Sequence, residues 1–488
     1  MKIVVVGGVA GGASAAARAR RLSDDAEIIV LERGHHPSFA NCGLPYYVGG
    51  EIQSRDKLLV APVEMLRKRH RLDVRTRSEV IRIDLPNSQV VVQDLETGDR
   101  YNETYDKLII ATGASPFRPP IEGIDGPRVL TLRDLNDADL MHQHATSGAK
   151  RCFVVGAGFI GVEVAENLVR RGIRTTMIDI SDQILTPWDR EMVVPLEDHL
   201  RQQGVELRLN ESVQRFVDTS SNIDVHLAGG EVITADFAVV SIGVRPESRL
   251  AADAGIACNP RGGIIVDDHM RSSVDNVYAV GDVTQVSDFI TGQPTQVPLA
   301  GPANRQGRIA ADHIFGRDSR YRGTQGSSVV GVFGMTAAMT GQSEKTLRRA
   351  GTACEKIYIH PSDHAGYYPG AQGMTLKLVF EPGNGKILGA QCVGGNGVAK
   401  RIDVIAMAIQ AGMTVDDLEE SELCYAPQYG HAKDPINMAG FVAAGVLRGD
   451  HPIVHAESLV TPSDRAVYLL DVRTESEFAA GHLPGATN

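Results

Sequence analysis

The apolar pattern opens with a run at Lys2–Val6, breaks at Gly7-Gly8-Val9-Ala10-Gly11-Gly12, and resumes in an alanine- and arginine-rich stretch, residues 13–22. A second apolar run, Glu27–Leu31, follows and is closed by Glu32. Runs of five residues bounded by turn signals read as buried parallel strands, and the stretch between them as a helix. The same order returns at Arg151–Val155, at Gly156-Ala157-Gly158-Phe159-Ile160-Gly161, and at residues 175–178, which lead into Asp179. Two shorter apolar segments, 108–114 and 277–283, each carry a strand into a glycine, Gly113 and Gly281.

Strand, glycine turn, helix, strand and acid form a dinucleotide-binding unit. The pyrophosphate sits on the helix N-terminus and the acid accepts hydrogen bonds from ribose hydroxyls. Glu32 follows Gly12 by 20 residues, as this motif requires. The first turn departs from G-x-G-x-x-G by carrying Val9 at the second glycine, whereas the second turn is complete. Two units imply two dinucleotides. Asp179 favours a free 2′-hydroxyl and hence NADH over NADPH, because a 2′-phosphate would be repelled there; Arg174, just before that strand, tempers the preference.

A chain of 488 residues is long enough for about three domains. Its 43% hydrophobic and 22% charged residues describe a globular protein. A formal net charge of -11 argues against nucleic acid as a partner. The opening run mimics a signal peptide, but the glycines from Gly7 to Gly12 interrupt it, and no later segment has 18 consecutive apolar residues, so no membrane association is expected. The six cysteines are scattered without a metal or disulfide spacing, which predicts no metal site and a reducing, cytoplasmic setting.

Cys152 and Cys392 lie in apolar strand sequences and read as small buried hydrophobes. Cys42 differs, standing in Ser38-Phe39-Ala40-Asn41-Cys42-Gly43-Leu44-Pro45-Tyr46-Tyr47, a polar stretch bounded by glycine and proline and downstream of Glu32. Arg18 and Arg21 are spaced i and i+3 on the first helix, so both can present charge to one surface. The alternative for them is a solvated helix face shared with Arg20.

The four strand-glycine motifs in this order resemble the two-dinucleotide flavoprotein reductases, in which an inserted NAD domain splits an FAD domain. In that family Asp282 would hold the flavin's ribityl or phosphate region, and Cys42 would be the redox centre. Glutathione-type members carry a second cysteine five residues on, where this chain has Tyr47. A single thiol would therefore cycle through a thiolate, a mixed disulfide, a persulfide or a sulfenic acid. The segments around Cys42, Pro298-Leu299-Ala300-Gly301-Pro302-Ala303-Asn304-Arg305-Gln306-Gly307 and His364-Ala365-Gly366-Tyr367-Tyr368-Pro369-Gly370 narrow the resemblance to coenzyme A disulfide reductases and their persulfide-reducing relatives.

That resemblance implies an α/β fold with two Rossmann-like domains and a C-terminal α+β dimerisation domain. The divisions expected are FAD domain 1–114 and 246–322, NAD(P)H domain 115–245, dimerisation domain 323–450, and a linker with an incomplete rhodanese-like segment at 451–488. Cofactor contacts fall to Gly7, Val9, Ala10, Gly11, Gly12, Glu32, Arg33, Asn41, Val80, Ala111, Thr112, Gly113, Gly281, Asp282, Pro298, Leu299 and Ala300. Gly156, Gly158, Phe159, Ile160, Gly161, Glu163, Asp179 and Gly243 complete that set. Phe159 reads either as a cover over the flavin that NADH displaces or as packing. Arg18, Arg21, Ser38, Asn41, Arg69, Asn304 and Lys433 are the implied coenzyme A contacts, with Arg69 drawn from the basic run 67–71.

Catalytic roles are implied for Cys42, Tyr367 and Tyr425, the tyrosines coming from the partner in a homodimer whose C-terminal domain completes the active site. The expected activity is reduction of coenzyme A disulfide, coenzyme A persulfide or polysulfide with FAD and NADH. An NADH oxidase or peroxidase using a sulfenic acid is the competing reading. Residues 467–486 look like the start of a rhodanese domain, and the sequence ends at Asn488 before any active-site loop cysteine, so a poorly packed tail is expected. A sulfurtransferase acting through that unit is the reading from another class.

Overall fold

The structure is a computed structural model that describes residues 1–450, 452–460 and 468–488. Strand β1 (Lys2–Val6) ends at Gly7, whose φ of +98° is open to glycine and at which a Cβ would strike the Ala111 carbonyl. Helix α1 (Ala10–Leu22) starts three residues earlier than the apolar pattern predicts, because the second half of the glycine turn is already helical, with Ala13 N donating to Val9 O at 2.8 Å. Strands β2 (Glu27–Leu31), β3 (Asp73–Arg75) and β4 (Lys107–Ile110) pair in parallel around β1.

The second unit holds β5 (Val129–Leu130), β6 (Arg151–Val155), α2 (Phe159–Arg170), β7 (Arg174–Asp179), α3 (Arg190–Gln202), β8 (Val205–Leu209) and β9 (Phe237–Val240). Its strands form one parallel sheet in the order β8-β7-β6-β9-β5. The chain then re-enters the first sheet with β10 (Val277–Ala279) beside β4, followed by α4 (Ala300–Ile314). One nucleotide-binding sheet is thus split around another. Ala114–Pro116 and Val244–Pro246, on the outgoing and returning crossings, pair antiparallel. Helices α1 and α4 pack backbone against backbone, since a Cβ at Gly307 would occupy the place of the Gly11 carbonyl.

The third layer is an antiparallel sheet built from β11 (Ser328–Val332), β12 (Met335–Gly341), β13 (Glu355–Ile359), β14 (Met374–Phe380) and β15 (Ile387–Gly394), ordered β11-β12-β15-β14-β13. Helices α5 (Val398–Ala411) and α6 (Pro435–Arg448) cover one of its faces, burying Leu376, Cys392, Ile405 and Ile436 together. Cys392 and Cys152 are buried in strands, as their sequence setting predicts. Among the described residues no helix is long and apolar enough to cross a membrane. In residues 468–488, Tyr468, Leu470 and Val472 are exposed, and Leu470 bridges Thr487.

A buried ionic cluster fastens the second unit to the third. Lys377, on β14 and fully buried, donates from Nζ to Asp189 (2.9 Å), Glu191 (2.5 Å) and Glu344 (2.6 Å). Asp189, at the N-terminal end of α3, also accepts from the Glu344 and Lys345 amides and from Gln391 Nε2. Burial alone would push the Lys377 ammonium down; the Asp189 charge and the bonds to Glu191 and Glu344 outweigh it and raise it. Glu191 lies below the usual carboxylate range, because the Lys377 bond and charge overcome its own desolvation.

Lys377→Met therefore leaves Asp189 and Glu191 together without their cation, while Glu344 keeps Lys356 at 2.9 Å and Arg348, and is expected to cost about 3–5 kcal/mol at pH 7. The lowered Glu191 contributes stability above the unfolded carboxylate range and loses it as pH falls through its folded value. The gap between variant and wild type should narrow in acid, below about pH 4. Thermal melts at both pH values check this; coincident melts at pH 7 would remove the cluster from the supports of the fold.

Candidate active site

One cavity of about 1220 Å³ runs between the first sheet and the 38–42 segment. It exceeds the roughly 300–1,000 Å³ of a single small-ligand pocket, so it has room for a dinucleotide and a second ligand. Its wall includes Val9, Ala10 and Gly11 from the first turn of α1, and Pro298 and Ala300 from the start of α4. Neither helix has a side-chain cap or an acid in its first turn, which leaves amide donors and the positive end of each helix dipole for a phosphate. Glu32 is fixed on the wall, accepting from Gly8 N and Gly34 N at 2.7 Å each. Each of its oxygens keeps a further acceptor site for a ribose hydroxyl. These residues fit FAD, with Val9 standing on the cavity wall in place of the second glycine.

Arg33, Val80, Ala111, Thr112, Gly113, Gly281 and Asp282 line the same cavity. Thr112 Oγ1 donates to Glu247 O at 2.7 Å, closing β4 against the returning crossing. Burial raises the Asp282 carboxyl and the Arg133 charge draws it back. Gly12 lies behind the wall, packed on the Gly7 carbonyl, and Leu299 is the residue preceding α4. Arg133 also lines the cavity and sequence reading missed it, since it belongs to the inserted unit and meets the site through tertiary folding alone.

The second glycine turn makes a separate cradle. Gly156 has φ +104°, and α2 begins after Gly158 with no side-chain cap and no acid in its first turn. Asp179 is held at the end of β7 by Ala157 N and Ser181 N, at 2.8 Å each. Space is open beside Gly158 and Gly243, whereas Gly161 packs on the Gly156 carbonyl. Ile160 is exposed. Phe159 packs against the hydrophobic core of this unit and does not line the large cavity.

Cys42 occupies a short 3-10 turn, Asn41–Gly43, before the helix Leu44–Gly49, and opens onto the large cavity. Its thiol is pushed up, first by desolvation from the surrounding wall, then by the charges of Glu163 and Asp282. Glu163, on α2, is itself pushed up to about 7 by burial, against the pull of the Tyr46 hydroxyl, which donates to it at 3.1 Å. Glu163 thus couples the second cradle electrostatically to the thiol. Tyr47, where a second cysteine would stand in other members, is buried with its ring stacked on His142 at 4.7 Å, so that position faces the core.

Arg18, Arg21, Ser38, Asn41 and Asn304 all line the cavity with Cys42. Arg18 is already paired, donating to Asp312 at 2.7 Å, while Arg21 has no carboxylate partner among the described residues. Ser14 Oγ bonds Asn304, joining α1 to α4 at the rim. Arg69 is exposed and off the wall; from the run 67–71 it is His70 that reaches it. Lys433, Tyr367 and Tyr425 are also away from this chain's own cavity. The two tyrosine hydroxyls bond each other at 2.8 Å, with Tyr367 76% and Tyr425 46% exposed.

The pyridine nucleotide-disulphide oxidoreductase family matches residues 1–307, and its dimerisation domain matches residues 327–434. Coenzyme A disulfide reductase of Staphylococcus aureus (strain JH9) is 36% identical over 91% of this chain and 99% of its own. The crystal structure of reduced Bacillus anthracis CoADR-RHD superposes with a TM-score of 0.96 at 45% identity, covering 100% of this chain and 88% of that one. A NAD-dependent persulfide reductase from A. fulgidus gives a TM-score of 0.94 at 37% identity, covering 100% of this chain and 90% of that one. With the split nucleotide-binding sheets and the third, antiparallel layer, these matches make the chain a member of the pyridine nucleotide-disulphide oxidoreductase family, an FAD-dependent oxidoreductase.

Proposed function

We propose that the protein uses NADH to reduce coenzyme A disulfide or coenzyme A persulfide through Cys42. The observation that carries this reading is a single cavity holding the uncapped N-terminus of α1, the Cys42 thiol, and Arg21 with Asn304. With the FAD phosphates on the first turns of α1 and α4, a second ligand with its phosphates toward Arg21 and Asn304 can place its sulfur at Cys42. Bound FAD supplies the two-electron relay between NADH and that sulfur. Cys42 Sγ attacks the sulfur carried by coenzyme A, the S–S bond breaks and the second sulfur leaves as thiol or sulfide, and the two electrons of one NADH then cleave the Cys42 mixed disulfide, returning the cysteine and coenzyme A thiol. Ser38 and Asn41 flank the thiol and orient the arm. Glu163, titrating at about 7, holds a proton close to this chemistry at neutral pH.

Tyr367 and Tyr425 stabilise the departing thiolate, and with Lys433 they act from the partner of a homodimer. Supporting this, they are exposed, joined to each other, and absent from their own chain's cavity wall. Six free thiols suit a reducing compartment, and we place the enzyme in the cytoplasm.

Cys42→Ser is expected to lower NADH consumption with coenzyme A disulfide by roughly a thousandfold or more while FAD stays bound. Offering coenzyme A disulfide, coenzyme A persulfide, peroxide and oxygen separately tests the substrate class; turnover of peroxide or oxygen alone would assign an oxidase or peroxidase instead. Asp179→Ala should shift the kcat/KM ratio toward NADPH by about tenfold or more, and an unchanged ratio would take nucleotide choice away from Asp179.

Glu163→Gln removes a negative charge that holds the Cys42 thiol up. Its thiolate fraction should rise, and iodoacetamide should alkylate Cys42 in the holoenzyme about three- to tenfold faster at pH 8, read by peptide mass spectrometry. The difference should shrink at pH 6, where wild-type Glu163 is mostly protonated. Equal rates at pH 8 would show that Glu163 does not set the thiol.

A further inference from the structure

A second, smaller pocket of about 200 Å³ adjoins the active-site cavity. Its wall carries Arg305 and Arg308 from α4, Arg320, Tyr321 and Arg322 from the segment after it, and Phe289. Arg308 lines this pocket and the large cavity alike, so the two spaces share that side chain. Arg320 is paired with Asp268 at 2.8 Å and Asp318 at 3.0 Å. Arg305, Arg308 and Arg322 have no carboxylate partner among the described residues. Arg305 stands over the Tyr321 ring, 5.4 Å from its centroid, and Arg322 over Phe289 at 5.9 Å.

Three uncompensated guanidiniums converge here on a chain whose formal net charge is -11, so the local field opposes that of the molecule as a whole. Stacking on aromatic faces restrains two of them and lowers the entropy lost on gripping a ligand. Tyr321 is 7% exposed, so the ring that Arg305 covers is held in the core. A volume several times the roughly 30 Å³ share of one water accommodates a tetrahedral oxyanion.

We propose that this pocket is a phosphate subsite, binding a phosphate monoester dianion through Arg305, Arg308 and Arg322. Guanidinium forks match phosphate oxygens bidentately, which a cluster of ammonium groups would not do. The phosphate has two possible sources. One is the phosphorylated far end of the substrate whose sulfur lies at Cys42, reaching past Arg308; that assignment rests on the coenzyme A reading above. The other is a separate phosphorylated ligand. The site itself depends on neither.

The test uses the FAD-loaded enzyme. Inorganic phosphate, followed by ³¹P line broadening, is expected to bind saturably, and Arg305→Gln and Arg322→Gln each to weaken it about tenfold. Arg322→Lys should recover part of the loss, and Arg100→Gln, exposed on another part of the surface, controls for removal of one positive charge. Absence of saturable binding, or equal binding in the two pocket variants and wild type, overturns the site.

Steady-state kinetics then separate the sources. With the substrate's own phosphate in the pocket, inorganic phosphate competes with coenzyme A disulfide, and Arg322→Gln lowers its kcat/KM relative to that of pantethine, which lacks phosphates, by about tenfold. Phosphate that binds in the first experiment but leaves that ratio unmoved assigns the pocket to a separate ligand. A wild-type enzyme that reduces neither disulfide overturns the coenzyme A reading, while the phosphate titration still decides the pocket.

Discussion

At Gly12 and at Gly307 a β-carbon would occupy the place of a carbonyl oxygen, that of Gly7 in the first case and of Gly11 in the second. These two contacts draw α1 onto the end of β1 and α4 onto α1. Both helices consequently end at one cavity with their first-turn amides free. Without such close approach the helix dipoles would stand back from the phosphate they have to meet. The same packing joins the first and last parts of the split sheet, because α4 follows β10 and carries Asn304 and Arg308 to the rim. Site geometry in this molecule is therefore a consequence of missing side chains as much as of present ones.

Buried charge is handled in two opposite ways. Around Lys377 every carboxylate finds a partner, and the cluster holds the second unit against the third. Around Cys42 the carboxyls of Glu163 and Asp282 are buried with little compensation, and both are pushed up as a result. The surrounding wall and these two carboxyls push the Cys42 thiol up, so a hydrogen-bond donor or positive charge bound beside it would favour the thiolate. A satisfied cluster favours rigidity, whereas an unsatisfied one leaves proton positions sensitive to ligands.

Much of the architecture was legible in the chain. Both glycine turns, the acids Glu32 and Asp179 that end their second strands, and the burial of Cys152 and Cys392 follow from local pattern and short-range backbone geometry. Where α1 begins was misjudged by three residues, since apolar periodicity does not register a turn whose glycines are already helical. The grouping of Arg21, Ser38, Asn41 and Asn304 with Cys42 came from resemblance to known enzymes, and the cavity holds all of them. Arg18 lines it too, yet its charge is countered by Asp312, a pairing across 294 residues that no periodicity reveals.

What the sequence determined by itself is the order of the units and which cysteine stands apart from the buried ones, because glycine turns, terminal acids and a cysteine in a polar, proline-bounded stretch are encoded within a few residues of one another. Tertiary structure alone decided which charges remain unpaired. Arg133 enters the cavity from the inserted unit, Glu163 reaches the electrostatic range of Cys42 from α2, and Arg305, Arg308 and Arg322 gather around a pocket of their own. The reason is physical: hydrogen bonding and backbone conformation are set locally, whereas the field at a site sums over groups that only folding brings together.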